Sequence, residues 1–233
     1  MIWELIDAFR NESMSGTDMA NILAAFAGVV FVLIFGLSFH EFAHAWAAKK
    51  LGDNTAFNLG RLTLNPGKHL DPFGSLLILL VGFGYAKPVP VTPRNFKNYK
   101  KGMALTALAG PVANLIMAFV FSLLANVPKY LWYRSPNDFT KLIFIFLRAI
   151  VSTNIGLAVF NLLPIPPLDG SRILDLFLPY KASRFLEQYE QYLRYGIIFL
   201  LMIRVLSVPL GFIGDLIKGG IDFITWLPFR LLP

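Results

Sequence analysis

Long runs of apolar residues are the feature that most constrains the fold of this chain. Residues 20–39 and 103–127 contain no charged residue, and residues 142–168 and 195–214 contain one each. A membrane-spanning helix needs about 20 predominantly apolar residues, so each of these four runs is long enough to cross a bilayer. A fifth uncharged run, residues 72–86, is short for a span and is typical of a re-entrant or half-inserted segment.

The composition indicates the same class of protein. The chain has 233 residues, of which 56% are hydrophobic and 15% are charged, whereas a soluble domain carries roughly a quarter charged residues. We therefore expect an all-α polytopic membrane protein with about four to five transmembrane helices. A single domain over residues 1–233 is predicted, with its core at about 20–175 and C-terminal helices at 185–233. The opening decapeptide MIWELIDAFR places apolar side chains on one helical face, which is typical of an interfacial helix, and the alternative is a frayed terminus.

Non-helical structure is expected between the first two long runs. Residues 55–66, TAFNLGRLTLNP, alternate loosely around a central Gly60 and predict a short β-hairpin. The region of about 55–92 is therefore expected to be a small membrane-associated β-hairpin or re-entrant region. Such backbone is tolerated at membrane depth where protein or water covers it. Pro128 and Pro164 are expected to end the helices that precede them.

The charge distribution predicts how the chain is oriented. The net charge is +7, and the positive residues concentrate between Lys49 and Lys101, close to the ends of the predicted spans. Cytoplasmic loops carry such an excess, so a multi-pass protein of the cell membrane with this end toward the cytoplasm is expected. No soluble module with interleaved basic and aromatic residues is present, which argues against nucleic-acid binding. The absence of cysteine excludes disulfides and cysteine-based zinc sites.

The motif His40-Glu41-Phe42-Ala43-His44 follows the first apolar run directly. Two histidines at positions i and i+4 share one face of a helix, so both imidazoles can reach one zinc ion. Glu41 could then take a proton from the metal-bound water. The alternative is a pair of interhelical hydrogen-bonding histidines. Three ionisable groups at membrane depth are costly, which favours a functional site.

A catalytic zinc site normally has three protein ligands and a water. The extended pattern with a third histidine six residues after His44 is excluded, because Lys50 occupies that position. The remaining candidates for the third ligand are His69, Asp169, Asp175, Glu187 and Glu190.

Sidedness favours Asp169 among these candidates. If residues 72–86 do not span, three crossings bring Asp169 to the same side of the membrane as His44. The preceding sequence NLLPIPPLDG (161–170) breaks the helix near membrane depth, where a carboxylate is a credible ligand. The alternative is that Asp169 caps the following helix. His69 remains a rival ligand, although a loop histidine is more often a structural hydrogen-bond partner.

These residues resemble the site-2 protease family of intramembrane metalloproteases. The resemblance rests on HEFAH near the end of a first span and on NxxP and LDG at residues 161–170. It extends to GRLTLNP (60–66) and GPVAN (110–114), so that it covers about residues 20–175. The chain contains no PDZ or CBS module, and the resemblance implies a short prokaryotic member.

The resemblance implies one Zn²⁺ per chain, held by His40, His44 and Asp169, with Glu41 as the base. It also implies that transmembrane protein or peptide substrates are cleaved within the lipid bilayer, as in regulated intramembrane proteolysis. Asn161 is the candidate to donate to the oxyanion or to grip the substrate backbone, ahead of Asn114 and Asn154. The alternative functions are a metal-binding membrane transporter and a catalytically inactive membrane scaffold.

Overall fold

The computed structural model describes residues 16–74, 86–203 and 205–231. Within these residues the chain is helical and contains no β-strand. The helices are α1 (Gly16–Lys50), α2 (Thr55–Asn58), α3 (Pro66–His69), α4 (Tyr99–Arg134), α5 (Asp138–Asn161), α6 (Asp169–Asp175), α7 (Tyr180–Gln188), α8 (Glu190–Met202) and α9 (Ser207–Trp226). Short 3₁₀ turns occupy Pro93–Asn95 and Leu227–Leu231.

Three of these helices, α1, α4 and α5, are long and apolar enough to cross a membrane. This finding confirms the prediction of an all-α polytopic membrane protein. The interfacial helix predicted for residues 1–10 and most of the predicted re-entrant run, residues 75–85, lie outside the described residues.

The first span, α1, contains a π-helical segment at Val32–Gly36, in which the N–H of Leu37 donates to the carbonyl of Val32. Such bulges are rare and frequently lie near functional sites. This one ends four residues before His40. Earlier in α1, Gly28 packs so tightly against α5 that an added Cβ would lie 2.5 Å from the carbonyl oxygen of Phe146. Small residues at such crossings let two helix backbones approach closely.

The second span, α4, continues through two prolines, Pro111 and Pro128. The prediction that Pro128 ends this helix is therefore wrong. Contacts with α9 stabilise the turns beyond it: the Lys129 ammonium lies 4.2 Å above the ring of Trp226, and the Tyr133 ring lies 6.5 Å from it. Prolines are tolerated in membrane helices when neighbouring helices support the backbone.

The C-terminal part differs from the predicted span at 195–214. Helix α8 ends at Met202 and α9 begins at Ser207, so this run is not one helix. α9 has 20 residues and is therefore about 30 Å long, close to the thickness of the bilayer core. It packs on α4 and α5, where its apolar residues Leu210, Ile217 and Ile221 cover the buried cluster of Ala118, Val151, Ile155 and Val159.

Asp222 of α9 makes a two-pronged ion pair with Arg148 of α5, and its Oδ1 also accepts from Ser122 of α4. A charge at this depth is tolerated when it is paired and hydrogen-bonded. The pair therefore explains how α9 carries an acidic side chain into the bundle.

The hairpin predicted over residues 55–66 is not found. Thr55–Asn58 forms a helical turn instead, because the side chain of Asp53 accepts the N–H of Thr55 at 3.1 Å and caps the turn. Gly60 ends the turn with a φ of +65°, a conformation that glycine adopts without strain. Local capping therefore outweighs the loose alternation of apolar residues.

Candidate metal centre

His40 and His44 lie one turn apart on the buried face of α1, and only 5% and 8% of their surfaces are exposed. Their Nε2 atoms point at the same place and are 3.0 Å apart. The spacing of the motif therefore produces the shared face that the sequence predicted.

Asp169 meets these two imidazoles from α6. Its Oδ2 atom lies 3.3 Å from Nε2 of His40 and 3.4 Å from Nε2 of His44. The contact places the beginning of α6 at the same end of the bundle as His44, in agreement with the sidedness argument. Gly170 makes the approach possible, since a Cβ there would collide with the backbone carbonyl groups of Leu162 and Leu163 at the end of α5.

The triangle of ligand atoms has the dimensions of a zinc site. Ligands that hold zinc tetrahedrally at about 2.0–2.2 Å lie about 3.3 Å from one another, close to the separations between these three atoms. Among the described residues, His40, His44 and Asp169 are the group of potential ligands close enough to hold one metal ion.

Hydrogen bonding within this cluster makes its centre suitable for a positive charge. Nδ1 of His44 lies 2.7 Å from the carbonyl oxygen of Thr106 and donates its hydrogen to it, so Nε2 of neutral His44 presents a lone pair. Oδ2 of Asp169 is buried without a hydrogen-bond partner. Two buried lone pairs that face each other are unfavourable unless a positive charge lies between them. The residues present therefore fit a zinc ion.

α4 shapes the cluster from its other side. Its Thr106 carbonyl fixes the tautomer and orientation of His44, which is the usual role of a hydrogen-bond partner behind a metal-ligating histidine. One turn later, Gly110 faces both imidazoles, and an added Cβ would lie 2.5 Å from ring atoms of His40 and His44. α4 thus contributes two of the contacts that define the geometry of the histidine pair.

Glu41 is buried beside the histidine pair, with 8% of its surface exposed. Its Oε2 atom accepts a hydrogen bond of 3.1 Å from the backbone N–H of Val89. The segment around Val89 is fixed on either side, because Lys87 donates its N–H to the carbonyl of His69 and Thr92 donates its N–H to Asp53. The residues before and after 75–85 therefore lie together, at the end of the bundle that carries His40, His44 and Asp169.

Asp53 anchors this segment as an ionised carboxylate. Burial acts to raise the pKa of Asp53, but hydrogen bonds from the side chains of Thr55 and Asn95 and from the backbone of Thr92 hold the pKa below its usual value. The negative charge of this side chain therefore ties the loop after α1 to the residues that follow Val89.

The structure does not bring the rival ligands into the cluster. His69 is fully buried, but its Nε2 atom lies 2.7 Å from the carbonyl oxygen of Thr63. It has the structural role that a loop histidine usually has. Asp175, Glu187 and Glu190 lie outside the group of converging ligand atoms.

The three candidate asparagines lie on α4 and α5. Asn161 is the last residue of α5, and its amide nitrogen donates to the carbonyl of Leu157 within the same helix. Asn154 makes the equivalent bond to Ile150. Asn114 lies one turn beyond Gly110 on α4 and is fully buried, with its amide atoms unpaired. The proposed role of Asn161 at the active site stays a prediction.

Sequence reasoning missed the backbone groups that complete the centre. The carbonyl of Thr106 and the N–H of Val89 leave no signal in a sequence, because every residue type other than proline carries the same two groups. Gly110 did leave a signal, since it belongs to the motif GPVAN (110–114), although the motif alone does not indicate contact with the histidine pair.

Comparison with known proteins gives the family and the metal. The model of "Peptidase family M50" matches residues 133–204. "Putative zinc metalloprotease YwhC" of Bacillus subtilis is 42% identical over 85% of this chain and 90% of its own length. "Putative zinc metalloprotease Rip2" of Mycolicibacterium smegmatis is 32% identical over 79% of this chain and 70% of its own length.

An archaeal relative, "Putative zinc metalloprotease MJ0611" of Methanocaldococcus jannaschii, is 34% identical over 60% of this chain and 64% of its own length. No solved structure matches this chain. These relatives identify zinc as the cofactor, and His40, His44 and Asp169 lie close enough together to bind it.

Proposed function

The chain belongs to peptidase family M50, the site-2 protease family, and we propose from this that it is a metalloprotease that cleaves peptide bonds within transmembrane segments of membrane proteins. The observation that carries the proposal is the convergence of three buried ligand atoms between helices long enough to span a bilayer. A metal centre in that position faces substrates that are themselves within the membrane.

His40, His44 and Asp169 are proposed to hold one zinc ion. When bound, zinc supplies a Lewis acid that polarises the scissile carbonyl and lowers the pKa of water. His44 is oriented for this role by its bond to Thr106, and Asp169 contributes a negative charge that offsets part of the charge of the ion.

Glu41 is proposed as the general base. Its carboxylate takes a proton from the attacking water and returns it to the nitrogen of the leaving amine. The N–H of Val89 occupies one site on Oε2, and a carboxylate has roughly four acceptor positions. The hydrogen bond therefore fixes the side chain and leaves it able to accept a proton.

Asn161 is proposed to bind the substrate backbone or the developing oxyanion. Its Nδ2 carries two hydrogens, and one of them is used in the bond to Leu157. The other is available to a substrate carbonyl. Since the peptide bonds of a helix are internally hydrogen-bonded, the substrate must unwind locally before it can be cleaved.

We propose that the centre faces the cytoplasmic side of the cell membrane. Lys49 and Lys50 end α1 close to His44, and Lys100 and Lys101 begin α4. Basic residues near span ends favour the cytoplasmic side.

The test uses purified protein and a transmembrane substrate peptide that carries helix-destabilising residues, reconstituted together in lipid vesicles. The cleaved bond is located by mass spectrometry. Glu41→Gln should reduce the cleavage rate by roughly 10²- to 10⁴-fold, the usual contribution of a general base, while the zinc content stays at the parent level. Asp138→Asn, at the first residue of α5, serves as the control and should cleave at the parent rate.

Two outcomes would contradict this proposal. If Glu41→Gln cleaves as fast as the parent, Glu41 is not the base. If the parent carries zinc across the vesicle membrane and leaves the peptide intact, the chain is a transporter and not an intramembrane protease.

A further inference from the structure

Lys100 is a basic residue in the first turn of α4 that the proposed mechanism does not use. Its side chain is largely enclosed, with 30% of its surface exposed. The ammonium group donates to the backbone carbonyls of Asp175 at 2.9 Å and Leu178 at 2.6 Å, and to Oγ of Ser183 at 3.2 Å. All three hydrogens of the ammonium group are therefore used.

These contacts lie at the C-terminal end of α6, whose first residue is Asp169. The last carbonyl groups of a helix have no partner within it, and a cation there also interacts favourably with the helix dipole. Lys100 binds the carbonyl of Asp175, the last residue of α6, which also accepts the N–H of Leu178, and it binds the carbonyl of Leu178 in the link to α7. The carboxylate of Asp175 lies 4.0 Å from the same ammonium group.

The length of α6 makes these end contacts important for the position of Asp169. α6 has seven residues and is therefore about 10 Å long, far too short to be stable by itself. Its direction is set by what holds its two ends. At the N-terminal end, Gly170 packs against the carbonyl groups of Leu162 and Leu163. At the other end the anchor is Lys100.

We propose that Lys100 is a positioning residue for the metal ligand Asp169, acting through α6. This inference rests on the proposed zinc site. Lys100, Thr106 and Gly110 lie along one helix, so α4 positions all three ligands although it supplies none. A tilt of α6 moves Oδ2 of Asp169 away from the imidazoles, and a zinc site accepts deviations of only about 0.2 Å in its ligand distances.

The experiment is a double-mutant cycle between Lys100→Met and Asp169→Ala in the full chain purified in detergent. Zinc affinity is measured by competition with a chelator, and the ligand geometry is followed by the visible absorption of the Co²⁺-substituted protein. Lys100→Met should weaken zinc binding by roughly tenfold or more, in the range found for residues that orient metal ligands, and should change the Co²⁺ spectrum. Lys100→Arg should restore part of the affinity.

The cycle distinguishes a positioning role from a general structural role. In the Asp169→Ala background, Lys100→Met should cause no further loss of zinc affinity, because the ligand that Lys100 positions is already absent. Lys101→Met is the matched control, since Lys101 is the next residue of the same helix turn and its side chain is exposed. This control should bind zinc as the parent does.

Three results would overturn the inference. The first is a Lys100→Met variant with the zinc affinity and Co²⁺ spectrum of the parent. The second is a loss of zinc affinity on Lys100→Met that is equally large with and without Asp169. If Lys100→Met does not fold, Ser183→Ala removes one contact of the ammonium group and should weaken zinc binding in the same direction. A parent-like Ser183→Ala would then count against the inference. The proposed zinc site itself fails separately, if Asp169→Ala alone binds zinc as the parent does.

Discussion

Gly110→Ala should disrupt the metal centre by adding a single methyl group. The Cβ of this alanine would lie 2.5 Å from ring atoms of His40 and His44, and the ordinary van der Waals range begins at 3.4 Å. The missing distance is about 0.9 Å, several times the deviation of about 0.2 Å that a metal–ligand distance tolerates. Either the imidazoles move apart or α4 moves away from α1.

The expected magnitude follows from the cost of overpacking, which is about 1–3 kcal/mol for extra methyl groups in a packed interior. If the imidazoles take up the strain, the dissociation constant for zinc rises by roughly five- to 150-fold. If α4 moves instead, the packing between α1 and α4 is lost and the apo-protein unfolds at a lower temperature. Chelator competition measures the first effect, and thermal unfolding in detergent measures the second.

Gly156→Ala is the matched control for this substitution. Gly156 lies in α5, and an added Cβ there has no neighbouring atom within 4 Å. This variant has the same gain in helix propensity, about 1 kcal/mol, without the clash. It should therefore bind zinc normally and be at least as stable as the parent. The reasoning is refuted if Gly110→Ala matches the parent in both zinc affinity and unfolding temperature.

Two further predictions concern the loops around the centre. His69→Ala should keep the full zinc content but lower the free energy of unfolding by about 1–3 kcal/mol, because the partly buried hydrogen bond to the carbonyl of Thr63 is lost; loss of zinc in this variant would make His69 a ligand. Asp53→Asn should flatten the dependence of the unfolding temperature on acid pH. The pKa of Asp53 is lower in the folded protein than its usual value, so its stabilising effect is complete above about pH 4 and is lost as the pH falls through the folded pKa. If unfolding curves measured between about pH 5 and pH 3 show the same slope for this variant and the parent, the carboxylate is not the anchor.

The sequence predicts the core of the metal centre because its geometry is local or follows from the number of crossings. His40 and His44 are four residues apart, so the helix alone brings them together. Asp169 is 125 residues beyond His44, and three apolar crossings were enough to place it on the same side. The final approach, within 3.4 Å, depends on the packing of α6 at both ends. No periodicity in the sequence encodes that packing.

The hairpin prediction for residues 55–66 is wrong because a hydrogen-bonded cap favours a helical turn there. Alternation of apolar residues over 55–66 indicated strands, but the hydrogen bond from Thr55 to Asp53 starts a helical turn, and Gly60 ends it. Asp53 lies two residues before the alternating stretch and also binds Thr92. Alternation of apolar residues carries no signal of either hydrogen bond, because both are made by a polar side chain that stands before the alternating stretch.

The C-terminal helices show why apolar runs alone misplace a helix. Residues 195–214 are more apolar than residues 207–226, since the latter include Asp215, Lys218 and Asp222. A hydropathy average counts each of these charges against placing the segment in the membrane. In the folded chain, however, Asp222 is paired with Arg148, 74 residues earlier, so most of its cost is offset. Each of these charges disfavours burial of its own helix, but the two helices can pack together because the charges pair with each other. The end of α9 then reaches Tyr133 at the end of α4, opposite the end where Thr106 contacts His44. α9 therefore packs on the part of α4 that lies away from the metal centre, although its charged residues disfavour it as a span.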